Sequence, residues 1–236
     1  MENRPDGHGR PVRTLYDTIM QKIMFNDKYG LTQAVLEGRK TMTRRVIQAP
    51  RTMEGKDVYG FSVVKYPHIS VPIEVVALDA DGAQINNILP KYKVGDVVAV
   101  AQSYMKAGYD RNMIQRATFR ANAYGGKQIG NFKICLLPGW ENKMFVKPKL
   151  MPHRIRITNI RVERLQDISD EDCMREGILE DCPNVQYSFP TEIGYCGQYP
   201  FNTPREAFAA LIDKISGKGT WEMNPFVFVY EFERIR

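Results

Sequence analysis

A lysine and two threonines stand close together in the run Gly38-Arg39-Lys40-Thr41-Met42-Thr43-Arg44-Arg45, with arginines on both sides. Nucleophilic catalysis requires a nucleophile, a base that takes its proton, and donors that hold the charge that develops. Thr43, Lys40 and nearby arginine or main-chain N–H groups are of the types that fill those roles. A threonine hydroxyl is inert near neutral pH until a base deprotonates it. A lysine is such a base only when its pKa of ~10.4 is drawn down by burial or by cationic neighbours, here Arg39, Arg44 and Arg45. If the segment is extended, Lys40, Met42 and Arg44 share one face while Arg39, Thr41, Thr43 and Arg45 share the other. Joint action of Lys40 and Thr43 therefore requires a turn or bulge between them. The same run also reads as a solvated basic strand whose threonines serve β-propensity. It is not a phosphate loop, which needs Gly, four residues and then Gly-Lys-Ser/Thr; Gly217-Lys218-Gly219-Thr220 does not supply that pattern either.

A carboxylate forms a second point of interest. Ser169-Asp170-Glu171-Asp172 has the hydroxyl-x-x-acid form of a helix start, and Gly177 closes that helix. Glu176 then falls in the last turn, where the helix dipole disfavours a negative charge unless another group holds it there. Basic side chains recur on strands further along the chain. Arg116-Ala117-Thr118-Phe119-Arg120-Ala121 alternates so that one face presents both arginines, and the stretch from Arg154 to Leu165 alternates again, with Arg154 and Arg156 outward and Ile155, Ile157 and Val162 inward.

These residues must be positioned by a folded core, and the composition supplies one. The 236 residues are 43% hydrophobic and 25% charged, ordinary globular usage, and one domain with large insertions is the default at this length. No stretch approaches the ~20 consecutive apolar residues of a membrane helix, and Met1 to Arg13 is polar with no apolar region behind it; a cytoplasmic protein is expected. Cys135, Cys173, Cys182 and Cys196 form no CxxC pair, and with only His8, His68 and His153 beside them no metal site is expected. Residues 1–50 carry a net +4, residues 51–160 +8 and residues 161–236 −6. A basic body with an acidic C-terminal third suits a polyanionic partner on one face, and equally a soluble surface with a mild positive bias.

The first 21 residues read as a flexible lead-in. A short strand at Lys22 to Phe25 precedes a helix with Leu31, Ala34 and Val35 on one face, stopped by Gly38. Strands are expected at 73–78, ending in the turn Asp79 to Gly82, at 97–100 after the Gly95-Asp96 turn, at 154–165 and at 226–233. Thr203-Pro204-Arg205-Glu206 is a capping box that opens an amphipathic helix carrying Phe208, Leu211, Ile212 and Ile215, ended by Gly217.

Taken together, the Arg39 to Arg45 run after a short helix, Gly95-Asp96-Val97, the stretch from Arg161 to Glu176, and Ile215-Ser216-Gly217-Lys218-Gly219-Thr220-Trp221 before an aromatic strand resemble the ASCH domain. The likeness is strongest to its phage- and prophage-encoded members, and it covers about half the chain. It implies an α+β fold: a PUA-like mixed β-barrel with a few flanking helices, spanning 22–236, with long insertions near 47–91, 102–152 and 178–202. It also implies a cleft that handles a nucleobase, nucleoside or RNA. The family includes an amidohydrolase that removes the acetyl group from N4-acetylcytidine with a lysine, a threonine and a glutamate, and the resemblance lays these roles on Lys40, Thr43 and Glu176. No cofactor is implied. A second reading is a non-catalytic module binding RNA or a modified base, with Arg39, Arg44, Arg45, Arg116, Arg120, Arg154 and Arg156 on the ligand or its phosphates. A third is an assembly or interaction protein that kept the fold and lost the pocket. Tyr187, Tyr195, Tyr199 and Trp221 are of the type that stacks on a base; for Trp221, at a loop-to-strand junction, core packing is the favoured reading.

Overall fold

The structure is a computed structural model that describes residues 20–64, 74–110, 139–181, 186–191, 194–195 and 201–235. In chain order the elements are β1 (Lys22–Ile23), α1 (Leu31–Leu36), β2 (Met42–Val46), β3 (Thr52–Met53), β4 (Lys56–Asp57), β5 (Gly60–Val64), β6 (Glu74–Leu78), β7 (Gln84–Asn87), β8 (Val97–Val100), β9 (Arg154–Arg164), α2 (Asp170–Arg175), β10 (Leu179–Asp181), β11 (Gln186–Ser188), β12 (Pro190–Thr191), β13 (Gly194–Tyr195), α3 (Pro204–Ser216), α4 (Thr220–Met223) and β14 (Phe226–Ile235). This is an α+β arrangement of few helices and several sheets, and none of those sheets closes into a barrel among the described residues. No described helix is long and apolar enough to cross a membrane. The described residues fall into two compact units, one from the ranges Met24–Asp96 and His153–Arg236, the other from Met1–Ile23 and Val97–Pro152.

The first of these units is organised around β14, which pairs antiparallel with β9 on one side and β2 on the other. Val227 to Tyr230 are all buried, as an unbroken apolar run requires of a strand covered on both faces. On one face Tyr230 packs edge-on against Tyr92 at 5.4 Å, and its hydroxyl accepts the main-chain N–H of Lys91 at 2.9 Å. On the other face lie Val227, Val229 and Glu231.

Strand β9 keeps its alternation by means of a bulge. Glu231 faces Asn159 while Phe232 faces Ile157, so Thr158 has no partner across the ladder. The extra residue resets the phase. Ile155 and Ile157 before it, and Ile160 and Val162 after it, thereby align with Phe228, Tyr230 and Phe232. The charged Arg154, Arg156, Arg161 and Glu163 all fall on the opposite face.

Local sequence accounts for the helices. Ser169 accepts the N–H of Asp172 to cap α2, and Thr203 accepts that of Glu206 to cap α3, with Pro204 in the first turn. Helix α3 buries Phe208, Leu211 and Ile212. The short α1 starts at Leu31, after a left-handed Gly30. The expected strand at 73–78 is β6, paired with β5 and β7, and its turn is closed by the Asp79 carboxylate.

In the other unit β1 pairs parallel with β8. The Lys22 ammonium donates to the carbonyls of Lys143, Met144 and Val146 at 3.1, 2.5 and 2.9 Å, tying β1 to a single-turn helix at Lys143–Phe145. The strand expected at 116–121, with Arg116 and Arg120, lies outside the described residues, as do His68, Tyr199, Cys135, Cys182 and Cys196. Cys173 is free and buried.

Candidate active site

A cavity of about 650 Å³ runs beside β2, the edge strand of the β9-β14-β2 ladder, a volume in the range of roughly 300–1,000 Å³ usual for small-ligand pockets. Thr43, Arg44, Arg45 and Val46 line it from the strand, and Lys40 and Glu176 line it as well. Phe208, Leu211, Ile212 and Ile215 of α3 supply an apolar wall.

Lys40 is aimed by its main chain. Its N–H donates to the carbonyl of Ala34 at 3.0 Å, folding the chain back on α1, and the next N–H, of Thr41, donates to Arg175 at the end of α2 at 3.0 Å. The residue is 2% exposed. Its ammonium donates to the main-chain carbonyl of Glu176 at 2.7 Å and to Glu176 Oε2 at 2.5 Å. Glu176 caps the C-terminus of α2, and Gly177 follows with φ 104°. A Cβ on Gly177 would be strained by that φ, and it would meet Leu31 at 3.3 Å and the Lys40 Cβ at 3.7 Å. The carboxylate that the helix dipole disfavours is thus held by Lys40 on one oxygen and by Arg44 on the other, the latter at 3.2 Å.

Arg44 is the branch point of a larger network. Its guanidinium reaches Glu163 at 2.6 Å, Asp172 at 2.9 Å and Glu176 at 3.2 Å, and lies over the Phe208 ring. Arg161 pairs with Asp172 at 2.5 Å, Glu163 at 2.9 Å and also Glu231. Arg175 pairs with Glu231 at 2.8 Å and Asp172 at 3.3 Å. Lys40, Arg44, Arg161 and Arg175 therefore meet the carboxylates of Glu163, Asp172, Glu176 and Glu231, four charges of each sign. Such a cluster is close to neutral and leaves these cations no spare charge for a phosphate.

Burial holds the Lys40 pKa below the ordinary lysine value; the charge and hydrogen bond of Glu176 oppose this, while Arg45 and Arg44 add to it. A neutral amine keeps two N–H donors, matching its two acceptors on Glu176, and leaves one lone pair for a proton. The hydroxyl of Thr43, a residue 5% exposed, lines the same cavity and has no hydrogen-bond partner among the described residues. Lys40 precedes the first residue of β2, so the strict face alternation that would separate it from Thr43 does not extend to it. Arg45 donates to the Met24 carbonyl at 2.5 Å and lies over the Phe25 ring.

Other residues singled out in the sequence are not brought to the cavity. Arg39 is exposed and pairs with Glu37 at 2.6 Å. Arg154 is exposed, and Arg156 pairs with Glu233 at 3.1 Å on the surface. Trp221 packs edge-on against Phe208 at 6.2 Å under the Arg205 guanidinium, and Tyr187 joins Phe201 through main-chain bonds. Arg116 and Arg120 lie outside the described residues. Sequence reasoning missed Glu163, Asp172, Arg161 and Glu231 as partners. The available signal was the opposite charges of Arg161 and Glu163, two residues apart on one face of β9. Among the described residues no group of three or more His, Cys, Asp or Glu side chains is disposed to hold a metal ion. No family model, curated protein or solved structure matches the chain.

Proposed function

We propose that the chain is a PUA-like protein of ASCH type that binds a nucleoside in the β2 cavity and hydrolyses an amide on its base, such as the N4-acyl amide of a cytidine. The observation that carries this reading is the convergence of Lys40, Thr43 and Glu176 on one cavity, with Lys40 and Glu176 in contact across 136 positions of sequence. In this scheme Thr43 Oγ1 attacks the acyl carbon and its proton passes to the neutral Lys40 amine. The C–N bond then breaks as N4 takes that proton, releasing cytidine and leaving the acyl group esterified to Thr43. Water, deprotonated by Lys40, hydrolyses the ester, releases the carboxylic acid and restores the hydroxyl. Glu176 fixes the amine through two acceptors, and with that amine neutral the cluster carries one net negative charge, which favours an uncharged nucleoside over a phosphorylated one.

The test is to incubate the protein, Lys40→Ala and Thr43→Val with a panel of N4-acylated cytidines and follow cytidine release by chromatography. Release by the wild type with a loss of ~10²-fold or more in each variant is expected, the size of a positioned acid–base contribution. No release from any member of the panel overturns the reading.

A further inference from the structure

Thr43, Arg44, Arg45 and Val46 are consecutive, and their side chains alternate between the two faces of the sheet, yet all four line one cavity. A single cavity touches both sets only by running along the unpaired edge of the strand. The ladder fixes which main-chain groups that edge presents. Phe232 N–H donates to Thr41 O at 2.9 Å and Ile47 N–H donates to Phe226 O at 3.0 Å. Hydrogen-bonded and non-hydrogen-bonded pairs alternate in an antiparallel ladder, so Thr43 and Arg45 direct their N–H and C=O groups at β14. Met42, Arg44 and Val46 direct theirs outward. Those groups have no main-chain partner among the described residues.

We infer that the outward N–H and C=O groups of Arg44 and Val46 read the hydrogen-bonding edge of a cytosine base, whose flat face lies against the apolar wall of α3. This rests on the nucleoside reading of the cavity given above. Cytosine presents a ring acceptor, N3, beside an N4–H donor, which complements a strand edge offering one donor and one acceptor per outward residue. N4 acylation leaves one N4–H in place, so the same edge is available before and after cleavage and the product competes with the substrate. An extended peptide would use the same groups by adding a strand. The free stretch is short and its ends are taken, however: Lys40 and Thr41 N–H groups are engaged by Ala34 and Arg175, and Ile47 by Phe226. A ligand confined to two outward residues fits better than a strand that must continue past them.

The experiment compares cytidine with 3-deazacytidine, which replaces the N3 acceptor by C–H and remains flat and uncharged, as competitive inhibitors and by calorimetric titration. In parallel, Val46→Pro removes one outward N–H while leaving the β14 ladder intact, since proline is tolerated on an edge strand where its nitrogen faces away from the partner. Cytidine is expected to bind wild type roughly tenfold more tightly than 3-deazacytidine, about the worth of one hydrogen bond. Val46→Pro, with its thermal unfolding checked, is expected to erase that difference. Equal binding of the two nucleosides to the wild type overturns the edge reading by itself, even if Val46→Pro fails to fold. If the wild type still releases cytidine from N4-acetylcytidine in that case, the amidohydrolase reading stands and only the edge reading falls. Binding of an unrelated extended peptide that cytidine displaces and Val46→Pro abolishes also overturns the inference, in favour of strand addition.

Discussion

Lys40 Nζ lies 2.5 Å from Glu176 Oε2 with the two side chains only 1% and 6% exposed, so each is the other's main compensation for having left water. Removing one partner of a buried pair strands the other charge. Lys40→Met is therefore expected to lower the unfolding free energy by about 3–5 kcal/mol. The double variant Lys40→Met/Glu176→Leu should recover a large part of that loss, because an apolar pair in the same space removes the desolvation cost from both sides. Urea unfolding of the wild type, both single variants and the double variant closes the cycle.

Burial gives the same lysine a pH signature. Its folded-state pKa lies below the ordinary 10.5, so between the folded value and 10.5 the unfolded chain holds more protons than the native one. Stability contributed by this group rises with pH across that window and is lost as pH falls through the folded value. The wild type should therefore gain on Lys40→Met as the pH is raised toward 10.5, with tyrosines and cysteines common to both cancelling in the difference. Amide release should climb along the same limb as the neutral amine becomes populated. A rate that never rises with pH, in acid as well as above neutrality, would remove Lys40 from the role of base.

The sequence made the parts of the site legible but not their pairing. Glu176 stood out because a carboxylate at a helix C-terminus needs a partner, and the Lys40 to Arg45 run stood out by residue type. That Lys40 is this partner depends on a fold-back over Gly38 and on α2 ending beside α1, long-range facts that local pattern does not encode. Arg44 illustrates the limit in the other direction. As one basic residue among several, it reads as a phosphate contact, yet it is 5% exposed and engaged by three carboxylates. The phase of β9 was readable at both ends, and inward Ile157 and Val162 already require a break near Asn159; the register with β14 places the bulge at Thr158, which keeps all the isoleucines on one face.

Arg44→Lys is not a conservative change at such a position. A lysine is a point charge and lacks the planar fork that reaches Glu163, Asp172 and Glu176 together. Leaving one or two buried acceptors unsatisfied costs about 1–3 kcal/mol. The loss should be similar at about 0.1 M and 1 M salt, because buried pairs are screened much less than surface ones. Arg156→Lys, changing an exposed pair with Glu233, should alter stability by less than about 1 kcal/mol. Denaturant unfolding at both ionic strengths separates the two cases.

The closing segment Gly217 to Trp221 carries a further prediction, because one carboxylate organises it. Asp213 accepts the N–H of Trp221 at 2.8 Å and that of Gly219 at 3.0 Å, while the Thr220 hydroxyl donates back to Gly217 at 2.7 Å. These contacts set Trp221 edge-on to Phe208, which forms part of the cavity wall. Asp213→Ala should cost about 0.5–2 kcal/mol, as the loss of a helix cap does, and should weaken nucleoside binding through the shifted Phe208. The Trp221 N–H, and after it that of Gly219, hold the Asp213 carboxyl below its ordinary 3.8. The stabilisation is then complete above 3.8 and lost as pH falls through the folded value. The gap between wild type and Asp213→Ala should accordingly be constant from neutrality down to about pH 5 and narrow below pH 4. A gap that persists unchanged into acid would mean that the turn is held by its glycines and Thr220 rather than by the charged carboxylate.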